Sequence, residues 1–174
     1  MDYFELYEMP VSLQVDKKYV QKKYFELQKK YHPDFFSNES AEEQADVLEK
    51  SSIINKAYKT FQNDDETIKY VLQIKGLLEE EEKYELPPAF LAEMMEINET
   101  LMEVDDSTLE ETETKINQLQ KHLYAEVQIN IEYYNQENTT NEQLLLVKDY
   151  YFKKKYLKRI LERLDGMRNI ASQN

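Results

Sequence analysis

Two apolar stripes at helical spacing, separated by a single proline, constrain what the first half of the chain can form. The first stripe follows Asp16, a good N-cap, and consists of Val20, Tyr24, Leu27 and Tyr31. It ends at His32-Pro33, because proline cannot continue a helix. The second stripe consists of Val47, Ser51, Ile54, Tyr58 and Phe61. Since a polar loop, 34–40, lies between them, the two stripes predict an antiparallel helical hairpin.

The composition favours helices throughout. A short helical turn is expected at residues 3–7 and a closing helix at 68–74. Only two of the 174 residues are Gly and four are Pro, too few for turn-rich sandwiches or barrels. We therefore predict an all-α fold.

The composition also limits the chemistry. The chain has no Cys, which excludes disulfides and thiolate-bound zinc or iron–sulfur clusters. It has no run of 18 apolar residues, so no membrane-spanning helix is predicted. Its net charge of −13 is unfavourable for binding nucleic acid. We predict no cofactor, no metal site, and neither a membrane nor a nucleic acid as partner.

The charge divides the chain unevenly. Residues 76–113 carry 14 acidic side chains and one basic side chain, whereas 114–174 carry an excess of basic ones. Gly76, a run of four glutamates and Pro87-Pro88 together indicate a linker. We predict an N-terminal domain at 1–75, a linker at 76–87 and a C-terminal domain at 88–174. The C-terminal domain is expected to be a three-helix bundle, with helices at about 88–104, 109–137 and 141–170.

Helix 88–104 carries more than a core stripe. Its main apolar face consists of Phe90, Met94, Ile97, Leu101 and Val104. A second apolar stripe consists of Leu91, Met95 and Met102, and beyond it lie Glu96, Glu99 and Glu103. Apolar side chains beside a row of carboxylates suit a partner surface. The alternative is that the second stripe packs against another helix of the bundle.

The last helix shows a similar feature. Its main stripe is predicted to be Leu146, Tyr150, Leu157, Ile160, Leu164 and Met167. Phe152 points nearly opposite to that stripe, among lysines. It is either an aromatic that caps the bundle or an exposed anchor for a partner.

The segment His32-Pro33-Asp34 ends a basic helix. Lys18, Lys22 and Lys29 lie on the side of this helix away from its apolar stripe, so this face can steer toward an acidic partner. An ordinary solvated face is the alternative for the lysines. An enzymatic acid–base pair is the alternative for His32 and Asp34, although no nucleophile or phosphate loop accompanies them.

With these features, residues 1–75 resemble the J-domain family, co-chaperones of DnaK-type ATPases. The resemblance is carried by Asp2-Tyr3-Phe4-Glu5-Leu6, Tyr31-His32-Pro33-Asp34 and Ile54-Asn55-Lys56-Ala57-Tyr58. It implies that the His-Pro-Asp tripeptide triggers ATP hydrolysis in the partner by docking. It also implies that the chain itself is not an enzyme.

Together with the acidic helix and the helical C-terminal region, the chain resembles the HscB/Jac type of J-domain co-chaperone, which serves iron–sulfur cluster assembly. This resemblance implies an L-shaped protein that binds an HscA-type chaperone through the J domain and an IscU-type scaffold protein through the C-terminal domain. The scaffold-contacting positions it implies are Leu91, Met95, Glu96, Glu99, Glu103 and Phe152. A cytoplasmic location is expected. A general J-domain co-chaperone for unfolded clients and a non-chaperone helical adaptor are the alternatives.

Overall fold

The computed structural model describes residues 1–103 and 105–173. It contains seven α-helices over these residues: α1 Tyr3–Leu6, α2 Lys17–Tyr31, α3 Ala41–Gln62, α4 Asp64–Ile74, α5 Pro88–Met102, α6 Asp106–Glu132 and α7 Asn141–Ala171. A short 3-10 helix covers Pro33–Phe36. No strand occurs in these described residues, and the predicted all-α fold is confirmed.

The chain divides into two compact units between Lys75 and Gly76. The first unit contains Met1–Lys75 together with Tyr134–Thr139, and the second contains Gly76–Tyr133 and Thr140–Asn174. Gly76 has a positive φ of 69°, a backbone conformation that glycine adopts without steric cost. The glycine therefore lets the chain turn sharply where α4 has just ended.

Side-chain caps define the helices of the first unit. The Asp16 carboxylate accepts the backbone N–H groups of Lys18 and Tyr19 at the start of α2. Ser40 and Glu43 form a capping box at the start of α3. The helix predicted at 68–74 begins earlier, at Asp64, because the Asn63 side chain accepts the N–H groups of the two residues after Asp64.

The core of the first unit is an aromatic cluster beneath the α2–α3 hairpin. Phe61 of α3 meets Phe4 with ring centroids 4.9 Å apart, and it meets Tyr7 edge-on at 5.4 Å. The Tyr7 hydroxyl donates a 2.8 Å hydrogen bond to the carbonyl of Ile54. Val20 and Leu27 of α2 are buried in the same core. This packing fixes α2, and therefore fixes which of its faces is exposed.

The helices of the second unit match the predicted order, with one shifted helix. Helix α6 begins at Asp106, not at 109, because Asp105 and Thr108 form a capping box. It ends at Glu132, not at 137, since the Asn135 side chain accepts the N–H groups of Glu137 and Asn138 and thereby stabilises a turn.

Helices α5, α6 and α7 pack around one apolar core. Helix α5 contributes Phe90, Met94, Ile97 and Leu101 to this core; Val104, which the sequence added to this stripe, lies outside the described residues. Helix α7 contributes Leu144, Val147, Tyr150, Leu157, Ile160 and Leu164. The prediction that Leu146 joins this core is wrong, because Leu146 is 56% exposed. Val147 takes the buried position, and Leu146 lies about 100° away from it around the helix.

Candidate functional site

The His32-Pro33-Asp34 tripeptide lies at the turn that leads out of α2. His32 has an extended backbone (φ −71°, ψ 127°) and caps the 3-10 helix, since its Nδ1 accepts the backbone N–H of Asp34 at 3.3 Å. Pro33 fixes the backbone at the first position of that helix. The His32 side chain is 45% exposed and that of Asp34 is 86% exposed. The turn thus holds both polar side chains at the surface, outside the core.

The two side chains of this turn form an ion pair only when His32 is protonated. The Asp34 Oδ2 lies 3.6 Å from Nδ1 of His32, and in the neutral imidazole this nitrogen already accepts the Asp34 N–H. Phe35, 69% exposed, approaches His32 edge-on at 5.8 Å. This arrangement offers a partner a hydrogen-bonding imidazole, a carboxylate and an aromatic ring in one turn.

Three lysines of α2 lie exposed on the face predicted for them. Lys18, Lys22 and Lys29 are all exposed. Within the described residues, none of the three makes an ion pair or a hydrogen bond through its ammonium group. Their charges are therefore available to a partner.

Other lysines of the same helix are engaged within the unit. Lys17 pairs with Asp64 at 3.0 Å, and Lys23 pairs with Glu8 at 2.5 Å. The hydrogen bond to Glu8 raises the pKa of Lys23 above its ordinary value. The structure thus distinguishes the lysines that are paired within the first unit from the three that the sequence assigned to docking.

Helix α5 of the second unit presents a core face and an exposed apolar face. Phe90 and Met94 are 5% and 0% exposed, whereas Leu91 and Met95 are 38% and 63% exposed. Leu91 and Met95 are one turn apart, so their exposed side chains share one side of the helix. Of the two alternatives that the sequence left open for this stripe, the structure supports exposure.

A row of carboxylates accompanies this apolar face. Glu96, Glu99 and Glu103 are all exposed. Glu96 lies 3.9 Å from the Lys115 ammonium of α6, a long, solvent-exposed pair that contributes little to stability. The acidic side chains are therefore free to meet basic groups of another molecule.

Phe152 of α7 is half-buried, and its ring has partners within the second unit. It stacks on Tyr84 with centroids 4.5 Å apart and an interplanar angle of 9°, and it meets Tyr151 edge-on at 5.1 Å. One face of Phe152 is therefore covered by the segment before α5. Whether Leu91, Met95 and Phe152 bind one partner together stays a prediction.

Tyr84 is the residue of this region that sequence reasoning missed. The segment predicted as a linker is irregular between α4 and α5, yet parts of it are fixed to the second unit. Leu78 is buried, Glu82 pairs with Lys148 at 2.8 Å, and the Tyr84 hydroxyl donates to Asp149 at 2.8 Å. An aromatic residue beside a run of glutamates was the available signal, since Tyr is rare in purely solvated linkers.

Because Tyr84 is partly buried, the pH dependence of the unfolding free energy at alkaline pH tests its hydrogen bond with Asp149. Burial, followed by the hydrogen bond to Asp149, raises the pKa of Tyr84 to about 12 from an ordinary value of about 10. The stabilisation from the neutral hydroxyl should be complete below about pH 10 and be lost between about pH 10 and pH 12, because the unfolded chain ionises first. We expect the difference in unfolding free energy between the wild type and Tyr84→Phe to shrink over that range. Denaturant titrations at stepped pH measure it, and a constant difference would contradict the assignment.

The described residues contain no group of three or more His, Asp or Glu placed to hold a metal ion. None of the described helices has the length and apolarity needed to cross a bilayer. Two exposed surfaces are the candidate sites: the tripeptide with the lysine face of α2, and the apolar and acidic face of α5.

Similarity to known proteins indicates the family of this chain. A family profile described as the HSCB C-terminal oligomerisation domain matches residues 86–165. The chain is 31% identical over 134 residues to the "Co-chaperone protein HscB homolog" of Vibrio cholerae, an alignment that covers 74% of this chain and 78% of the relative. The chain belongs to the HscB family of iron–sulfur cluster co-chaperones.

Other HscB relatives agree with this assignment. The "Co-chaperone protein HscB" of Proteus mirabilis is 36% identical over 109 residues, which cover 62% of this chain and 63% of that protein. The human "Iron-sulfur cluster co-chaperone protein HscB" is 34% identical over 153 residues, which cover 87% of this chain and 64% of the human one. The crystal structure of human HscB superposes with a TM-score of 0.78 at 30% identity, covering 97% of this chain and 82% of the human chain. These relatives are described as co-chaperones and not as enzymes.

Proposed function

We propose that this protein stimulates ATP hydrolysis by an HscA/DnaK-type chaperone and delivers an IscU-type iron–sulfur scaffold protein to it. One observation carries the proposal. The His32-Pro33-Asp34 turn is exposed at the end of a helix whose outward lysines, Lys18, Lys22 and Lys29, have no partner among the described residues. Membership of the HscB family supports it.

At the chaperone, the chain acts by docking. The lysine face of α2 draws the first unit toward an acidic surface, since opposite charges accelerate encounter. The turn then places His32 and Asp34 against the chaperone, where they bias it toward its hydrolysing state. ATP is cleaved on the chaperone, and no bond of this chain is formed or broken. In this proposal residues 1–75 act as the J domain, 76–87 as the connection and 88–174 as the scaffold-binding domain.

At the scaffold, the exposed face of α5 supplies the contact. Leu91 and Met95 offer apolar area, and Glu96, Glu99 and Glu103 offer negative charge around it. Phe152 contributes the edge of a ring held in place by Tyr84. Such a surface fits a partner whose apolar patch is surrounded by Lys or Arg.

Steady-state ATPase measurements test the proposal directly. We expect the chain to accelerate ATP hydrolysis by the DnaK-type chaperone of its own organism. We also expect it to bind the scaffold protein in a calorimetric titration. A chain that binds neither protein and leaves the ATPase rate unchanged would overturn the proposal. Acceleration without any scaffold binding would limit the function to that of a general J-domain co-chaperone.

Charge reversal on α2 should slow docking. We expect Lys22→Glu to reduce the association rate with the chaperone, and the effect to fade in high salt, because exposed charges act over only about 8–10 Å at physiological ionic strength. Lys121→Glu is the matched control, since it changes the net charge equally at an exposed position on α6. Stopped-flow or biosensor kinetics at several salt concentrations give the rates. Equal slowing by both substitutions would show that net charge matters and that this face does not.

A further inference from the structure

An exposed phenylalanine lies within the lysine face of α2. Phe25 is 56% exposed, and it lies between Lys22 and Lys29 in the sequence. Residues 18, 22, 25 and 29 follow a 4-3-4 spacing, and at about 100° per residue they fall within a sector of about 60° around the helix. Phe25 therefore lies in the same stripe as the three lysines whose ammonium groups lack partners in the described structure.

Packing within the first unit does not account for this ring. Its neighbour Tyr24 turns to the other side, where it stacks on Tyr58 at 4.1 Å and donates a hydrogen bond to Asn55. Among the ring contacts of the described residues, Phe25 has one tilted contact, with Tyr24, at a centroid distance of 5.6 Å and an interplanar angle of 58°. More than half of the Phe25 side chain therefore remains in water. A single exposed apolar residue is ordinary on a protein surface, but its position among three unpaired cations is informative.

We propose that Phe25 is the apolar anchor of the chaperone-docking face. This inference rests on the proposed function and specifies the complementary surface: an apolar depression on the chaperone, rimmed by carboxylates. The rim follows from charge, since Lys18, Lys22 and Lys29 lie in the same stripe before and after the ring, and none of them forms an ion pair with an acid among the described residues. The apolar depression is inferred from the Phe25 ring, because an aromatic side chain contributes most to binding when it is buried in a complementary pocket of the partner.

The two kinds of side chain have separable effects on binding. Lysines act at a distance, so they set the association rate and its salt dependence. Phe25 acts only after contact, through the burial of apolar area, so it sets the dissociation rate and is insensitive to salt. The phenyl ring thus converts an electrostatic encounter into a complex that lasts long enough for His32 and Asp34 to act.

Binding kinetics of the full-length chain with its DnaK-type chaperone test the inference. We expect Phe25→Ala to raise the dissociation rate by about tenfold or more, a size typical of an interface anchor, with the salt slope of association unchanged. Phe25→Leu should restore much of the affinity, because it restores apolar volume. Leu48→Ala is the matched control, since Leu48 is 61% exposed on α3 of the same unit, and it should leave both rates unchanged. Thermal melts of all variants should coincide with the wild type.

The outcomes separate this inference from the proposed function. If the wild type binds and stimulates the chaperone while Phe25→Ala dissociates at the wild-type rate, the anchor is wrong and the proposed function stands. If the wild type does not bind the chaperone, both are wrong. If Phe25→Ala binds normally but abolishes self-association of the chain in sedimentation velocity, the ring serves a second copy of this chain, and the assignment to the chaperone is overturned.

Discussion

Replacing His32 with Gln should abolish the stimulation of the chaperone ATPase. Glutamine is polar and similar in reach, but it lacks the planar imidazole, which in the wild type accepts the Asp34 N–H through Nδ1 at 3.3 Å and has a second ring nitrogen for a partner. Pro33 still fixes the backbone of the turn, so the variant should lose the imidazole that meets the chaperone and keep the fold. Because the His32 side chain is 45% exposed and has no core role, the unfolding free energy should change by no more than about 0.5 kcal/mol.

The measurement is the steady-state ATPase rate of the chaperone, with and without each variant. The chain contains one other histidine, which supplies the control: His122 lies exposed on α6, with its Nε2 3.4 Å from Glu126. His122→Gln should stimulate as the wild type does, and both variants should bind the scaffold normally. A His32→Gln variant that stimulates fully would show that the tripeptide is not the trigger.

The elements of this fold were predictable because their signals are local. Helix α2 ends where Pro33 forbids continuation, and α3 and α7 begin directly after Ser40 and Thr140, whose side chains cap them. The stripe of Phe90, Met94, Ile97 and Leu101 is buried as its spacing requires. These features are determined by residues three or four positions apart, and they can therefore be predicted from one sequence.

The features that could not be predicted from the sequence depend on how the helices and the segments between them pack against one another. Leu146 has the spacing of a core residue, but α7 turns Leu144 and Val147 inward, and the orientation of a long helix within a bundle is set by its partners. The partner of Phe152 lies 68 positions away in an acidic segment, beyond the reach of any periodicity. The spacing of the α2 lysines predicts a face, but the pairing of Lys23 with Glu8 depends on how the segment after α1 packs beside α2.

The two adjacent methionines of α5 should respond oppositely to the same substitution. Met94 is 0% exposed in the core of the second unit, so Met94→Ala should destabilise the fold by about 2–5 kcal/mol through the cavity it leaves. Met95 is 63% exposed beside Leu91, so Met95→Ala should leave the unfolding free energy within about 0.5 kcal/mol of the wild type. If this face binds the scaffold, Met95→Ala should instead weaken that binding by about 1–3 kcal/mol.

Thermal melts paired with calorimetric titration against the scaffold separate the two effects. Because both substitutions remove the same atoms from neighbouring positions of one helix, differences in helix propensity cancel between them, and only burial distinguishes them. Leu91→Ala should follow Met95→Ala. Phe152→Ala should show part of both effects, because its ring is half-buried against Tyr84 while its remaining surface is open to a partner. Normal scaffold binding by both Met95→Ala and Leu91→Ala, in folded protein, would remove α5 from the scaffold interface and leave its acidic, methionine-rich face to another partner.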